Sequence, residues 1–172
     1  AVVSLIYGAD QYARQKVLDE GTDVFTVMRV NPWEILTDFD LFLESLNNPD
    51  LTLADRDWLA QRLTLARAVG AQVAATADLR ARSASYRGCE VRGRTAVYPL
   101  IEDLPLALGR HLTTADLEAS RAVAVLGWDV ARELFPRSLD PVGKEFRLSG
   151  RHFTVVGVVD DLGTGLGNNR NL

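Results

Sequence analysis

The sequence is poor in the residues that build covalently stapled or metal-held folds. Cys89 is its single cysteine, and His111 and His152 are its two histidines among 172 residues. No intramolecular disulfide can close, and no Cys/His set stands at zinc-ligand spacing, so a zinc fold is excluded. Long apolar runs are missing as well. Nowhere do about 18 consecutive apolar residues occur, the length a membrane-spanning helix needs. A basic excess is also absent, because 19 Lys and Arg face 23 Asp and Glu for a net charge of −4. That removes the electrostatic footprint of a general nucleic-acid binder. No secretory signal opens the chain, which starts without Met on the uncharged stretch Ala1 to Ala9 and stops in the Gly/Asn-rich stretch Gly163 to Leu172. Both ends read as cut from a longer protein.

What remains is a composition that can bury a core: 47% hydrophobic and 24% charged residues, enough for one domain with two lobes. Val2, Ile6, Ala9, Ala13 and Val17 recur at helical intervals, with Gly21 as the expected C-terminal cap. Val24 to Val30 is β-branched and apolar on both alternating faces, which predicts a central strand. Asn31-Pro32-Trp33-Glu34 predicts a helix start, followed by the stripe Leu36, Phe39, Leu43 and Leu46. After Asn47-Asn48-Pro49-Asp50, the Thr52-x-x-Asp55 box starts another helix, expected to run to about Arg67. Val69 to Leu100 reads as two or three strands joined by turns.

The final third has sharper signals. Thr113-x-x-Asp116 is a second capping box, Ala122 to Leu126 is a short buried strand, and Trp128 to Phe135 is a helix stopped by Pro136. Lys144 to Leu148 and Arg151 to Val155 alternate around Ser149-Gly150, a β-hairpin with a two-residue turn. The whole predicts an α+β fold with a mixed sheet and short helices. Charge is segregated along it: seven acids and one base lie between Glu34 and Asp57, whereas Arg80, Arg82, Arg87, Arg92 and Arg94 accompany only Glu90. That arginine run reads either as a solvated face or as a surface that meets phosphate or docks an acidic partner.

The motifs that could carry chemistry do not assemble a catalytic or cofactor site. Gly163-x-Gly165-x-Gly167 follows a strand but no helix follows it, so a phosphate cradle is not supported. Gly143-Lys144 is followed by Glu145 where a phosphate loop needs Ser or Thr, and it reads as a turn. Asp160 and Asp161 are adjacent on an extended segment, point to opposite faces and read as a solvated strand end. No serine stands in a nucleophile-elbow context. Cys89 reads as an inert small residue. No catalytic residue, cofactor or metal is expected.

Five pieces stand in order over the last third: Leu108-Gly109-Arg110-x-Leu112-Thr113-x-x-Asp116, Val123-Ala124-Val125-Leu126-Gly127, Leu134-Phe135, Asp140-Pro141-Val142-Gly143-Lys144, and Phe153-Thr154-Val155-Val156-Gly157-Val158. In this order and spacing, the stretch from Gly109 to Val159 resembles the periplasmic core domain of MacB-type, FtsX-like ABC-transporter permeases. Asn48-Pro49-x-Leu51-Thr52, and the opening helix and strand, are similar to the family's earlier regions, and the likeness is loose over Val69 to Leu100. The Gly/Asn-rich tail departs from the family, whose core domain continues to a second transmembrane segment.

This resemblance implies a domain on the periplasmic or extracellular face of a membrane, with transmembrane helices flanking it. It implies a membrane-proximal lobe of residues 1–45 and 150–172 and a distal lobe of about 46–149. ATP hydrolysis would belong to a cytoplasmic ATP-binding subunit or domain, a second permease copy would complete a dimer, and a periplasmic adaptor or outer-membrane channel would be the outer partner. Two functions are compatible: export driven by ATP inside the cell, and an FtsX-type scaffold that activates a cell-wall hydrolase or sensor. A freestanding binding module is the third. The Gly109-Arg110 turn and the Thr113 cap are expected to act as hinges between the lobes.

Overall fold

A computed structural model of the protein describes residues 24–30 and 37–161, together with the short backbone ladder of Thr164–Gly165 and Asn168–Asn169. The chain divides into two compact units, Ala1–Val69 and Gly70–Leu172. The expected opening helix with its Gly21 cap and the expected helix start at Asn31 lie outside the described residues.

In the first unit, α1 (Phe39–Ser45) begins at Asp38, whose carboxylate accepts the Asp40 and Leu41 amides. Helix α2 (Leu53–Arg62) begins at the Thr52 box and ends where Leu63 turns extended (φ −81°, ψ 94°), five residues short of the expected Arg67. Val24 to Val30 has no ladder partner among the described residues, which corrects the expected strand. Within it Arg29 donates to the Leu46 and Asn48 carbonyls at 3.1 and 3.2 Å and lies 3.3 Å from Asp50. β-Branched composition makes a strand only where a neighbouring strand offers an edge. Of the predicted stripe, Leu36 lies outside the described residues and Phe39, Leu43 and Leu46 are exposed.

The second unit is built on one sheet. β1 (Gln72–Arg80) and β2 (Ser85–Arg94) form an antiparallel hairpin with a register shift between Ala77 and Leu79, opposite Gly88 at φ +64°. A 3-10 turn, Tyr98–Leu100, leads to β3 (Leu106–Gly109), α3 (Thr114–Glu118), β4 (Val123–Leu126) and α4 (Trp128–Leu134). β5 (Glu145–Leu148) and β6 (Arg151–Val159) close as the expected hairpin, its turn made by Ser149 and Gly150, both at positive φ.

The strand order is β2-β1-β5-β6-β3, with β4 also on β6. β4 runs parallel to β6, and the other pairs of this sheet are antiparallel. The fold is α+β with a mixed sheet. Its core joins Val130, Ala131 and Leu134 of α4 to Leu79, Cys89, Leu126, Phe146, Val155 and Val158 of the strands. Val130 and Leu134, four apart, give α4 its buried stripe. The sheet runs unbroken through residue 150, which sits in a hairpin turn.

Candidate functional site

Where β3 meets β6, two backbones approach without side chains between them. Gly109 ends β3 at φ +76° opposite Gly157 of β6. A Cβ on Gly109 would stand 2.2 Å from the Val156 carbonyl oxygen, and one on Gly157 would stand 2.5 Å from the Arg110 carbonyl oxygen. Only glycine fits either position, because at contacts this short backbone rather than a flexible side chain would have to move. The Arg110 amide then donates to the Val156 carbonyl at 2.9 Å, which aims the Arg110 side chain towards α3.

There Arg110 meets Asp116 in a two-pronged pair, Nη1 to Oδ2 at 2.6 Å and Nη2 to Oδ1 at 3.1 Å. Thr113 closes the other side: its amide and hydroxyl donate to Asp116 Oδ2 at 3.0 and 2.7 Å, and its hydroxyl accepts the Asp116 amide. Arg121 adds a longer contact at 3.4 Å. Asp116 is 3% exposed, and it is the one buried charged residue among those described. The Arg110 hydrogen bonds first, and the Thr113 hydroxyl and amide next, hold its carboxyl far below the usual carboxylate range. The same pairing pushes the Arg110 guanidinium up. A carboxylate whose acceptor sites are filled by fixed donors is a structural anchor, with no proton to trade near neutrality. Gly109, Arg110 and Thr113, the expected hinge, lie inside one compact unit and are joined by these contacts.

The other motif residues gather on the same sheet. Val125 and Leu126 pair with Gly157 and Val158, and Gly127 is the N-cap of α4. Leu134 is fully buried and Phe135 caps the helix end. Pro141 is buried, and Gly143 at φ +82° sends its amide to the Val155 carbonyl at 2.8 Å. The Lys144 carbonyl accepts the Val155 amide at 2.9 Å, and its ammonium lies 5.7 Å from the centre of the Phe135 ring. Phe153 stacks on Phe146 across the hairpin at 6.0 Å.

The five arginines do not act as one patch. Arg94 is paired with Glu102 at 2.6 Å, lies over the Tyr98 ring and donates to Gln72. Arg92 is paired with Glu90 at 2.6 Å, a contact that holds the Glu90 carboxyl low. Arg80, Arg82 and Arg87 are exposed at the turn end of the hairpin. Arg80 and Arg87, with Asp78, Ala81, Ala84 and Ser85, line an open concavity of about 390 Å3.

Register brings in residues that sequence reasoning missed. Arg80 stands directly opposite Arg147 of β5, and Arg147 directly opposite His152 of β6. Sequence spacing carries no signal for this row, because it depends on which strand lies beside β1. Arg121 was missed for a similar reason, since its role appears only once α3 ends. Asp160 and Asp161 are exposed at the strand end, and burial pushes the Cys89 thiol up, away from nucleophile chemistry. Among the described residues no group of three or more His, Cys, Asp or Glu could hold a metal, and no helix is long and apolar enough to cross a membrane.

Comparison with known proteins places this geometry. The family model described as the MacB-like periplasmic core domain matches residues 1–172. The macrolide export ATP-binding/permease protein MacB of Rhodospirillum rubrum is 35% identical over 113 residues, 66% of this chain and 17% of that protein. MacB of Aggregatibacter actinomycetemcomitans is 28% identical over 174 residues, 100% of this chain and 26% of that protein. The chain thus spans about a quarter or less of the length of these relatives. Among solved structures, the periplasmic region of MacB from Actinobacillus actinomycetemcomitans has a TM-score of 0.61 at 26% identity, covering 68% of this chain and 54% of that one. The extracellular domain of the transporter YknZ from Gram-positive bacteria shares the fold, with a TM-score of 0.60 at 20% identity over 65% of this chain and 58% of that one.

Proposed function

Since the chain belongs to the MacB-like periplasmic core domain family, we propose that it is the extracytoplasmic domain of an ABC-transporter permease, held at the periplasmic or extracellular face of the membrane by helices of the full-length protein. It transmits conformational change driven by ATP hydrolysis in a cytoplasmic nucleotide-binding domain, and it docks an outer partner, an adaptor or an outer-membrane channel, during export. The domain itself is not an enzyme. A second permease copy supplies the other half of the machine.

The observation that carries this reading is the clamp. A transmitter must move as a block, and the Gly109–Gly157 approach with the Arg110–Asp116 pair ties α3, β3 and β6 together. The named export activities of the relatives support the transport half of the proposal.

The test is recovery of the full-length permease from native membranes with residues 1–172 intact and with them deleted, followed by identification of co-purifying proteins. An adaptor or channel that depends on the domain supports export. A cell-wall hydrolase or a sensor in its place would replace export with FtsX-type regulation.

A further inference from the structure

We propose that the row Arg80–Arg147–His152, flanked by Arg87, is a docking site for an acidic protein segment, one that presents paired Asp or Glu carboxylates. The proposal rests on the docking function above and names its surface and the chemistry of its partner.

Cross-strand register is the first support. Ser85, Arg80, Arg147 and His152 stand opposite one another in sequence across β2, β1, β5 and β6, so two guanidiniums are direct neighbours on one face. Like charges directly opposite on a sheet oppose folding unless an anion lies between them. Among the described residues neither Arg80 nor Arg147 has a carboxylate partner, and the exposed Arg82 and Arg87 near them likewise make no ion pair. By contrast, Arg92 and Arg94 on the same hairpin are neutralised by Glu90 and Glu102. The fold satisfies one end of the hairpin and leaves the other electrostatically open.

The second support is shape and placement. The core and α4 occupy the opposite face, where Leu79, Phe146 and Val155 are buried. The basic row therefore faces outward beside the open concavity lined by Asp78, Arg80, Ser85 and Arg87. Exposed cations here are arginines, whose planar forks match carboxylates two bonds at a time. Two acids interrupt the field: Asp78, which accepts the Gly88 amide at 3.0 Å, and Glu145, 3.7 Å from His152. A continuous polyanionic surface would be repelled at those points, whereas a peptide with spaced carboxylates can seat between them and offer its amides to the two acids.

Fluorescence anisotropy of a labelled peptide of alternating Glu and Gly with the 172-residue chain tests this, with inorganic phosphate and phosphatidylglycerol vesicles as the competing probes. Saturable binding that weakens with salt is expected, and Arg80→Glu with Arg147→Glu should weaken it about tenfold or more. The milder pair Arg80→Gln with Arg147→Gln gives the same direction if charge reversal harms folding. Arg92→Gln should leave binding unchanged. The proposal is overturned if the peptide does not bind, if the double variants bind equally, if Arg92→Gln weakens binding as much as they do, or if vesicles bind and the peptide does not. The two levels separate cleanly. Peptide binding lost while the membrane experiment still recovers a partner moves docking to another surface. Peptide binding kept while no partner is recovered breaks the docking function and leaves the site standing.

Discussion

The chain contains the same helix-start motif twice, and the two copies end in different physical situations. Thr52-x-x-Asp55 and Thr113-x-x-Asp116 share the cap conformation, φ −115° with ψ 166° and 161°, and both close the reciprocal box. Even the hydroxyl-to-carboxylate distances agree, 2.7 Å in each. Yet Asp55 is exposed and its carboxyl is lowered by Thr52 alone, while Asp116 is buried and lowered first by Arg110. Local sequence writes the cap. Tertiary structure decides whether the cap is only a helix end or an anchor.

Asp116→Ala should break that contrast most severely. It removes the buried acceptor that Arg110, Thr113 and Arg121 share and leaves a void where the carboxylate stood, with the ties from α3 to β3 lost at once. Thermal melting should show a fall in Tm several times that of Asp55→Ala, and equal falls would reduce Asp116 to an ordinary cap. Gly157→Ala comes next. The new methyl would stand 2.5 Å from the Arg110 carbonyl oxygen and push apart the backbones that aim Arg110. Denaturant unfolding should show a loss of about 1–3 kcal/mol, and Gly143→Ala is the sharpening control, since nothing lies near its Cβ position although its φ of +82° strains any side chain. If Gly143→Ala is the more damaging of the two, positive φ and not close approach governs these glycines.

The second unit was largely legible in the sequence because its signals are local. The Thr113 box, the Val130–Leu134 spacing and the Ser149-Gly150 turn each need only a few neighbouring residues, and each element stands where these predict. The first unit was less so. Val24 to Val30 carries strand composition, but a strand exists only by pairing, and Arg29 there reaches Leu46, Asn48 and Asp50 instead. The site divides the same way. Gly109, Arg110, Thr113 and Asp116 could be singled out as one motif, but the close approach that seats them comes from the Gly109–Gly157 contact, almost fifty residues apart in the chain. Arg147 and His152 were invisible for the same reason, since they become neighbours of Arg80 only through the β1–β5 and β5–β6 registers.

Smaller effects separate the hydroxyls of the two boxes. Thr113→Ala should lower stability by about 0.5–2 kcal/mol, the usual loss for an N-cap, and it should do so in the global transition because α3 is tied to the sheet. Thr52→Ala removes an equivalent cap from α2, where no residue is buried. Hydrogen exchange should register it as local opening of Leu53–Arg62, with the amides of β5 and β6 unaffected. Slowed exchange lost throughout the second unit would mean that the two caps are equivalent after all.

Acid should separate them last and most gently. Both carboxyls are lowered in the folded protein, so each favours folding above the ordinary carboxylate pKa of about 4 and loses that contribution as pH falls below it towards its folded value. Asp116 is lowered further, by the Arg110 pair that Asp55 lacks, so its share of the acid dependence is larger. Asp116→Asn should therefore flatten the decline in stability between about pH 4 and pH 2, in addition to lowering stability at neutral pH. Asp55→Asn should barely change that slope. If the slope in Asp116→Asn matches the parent chain while neutral stability falls, the buried carboxylate is held by shape and not by its charge, and the Arg110 fork is a contact like any other.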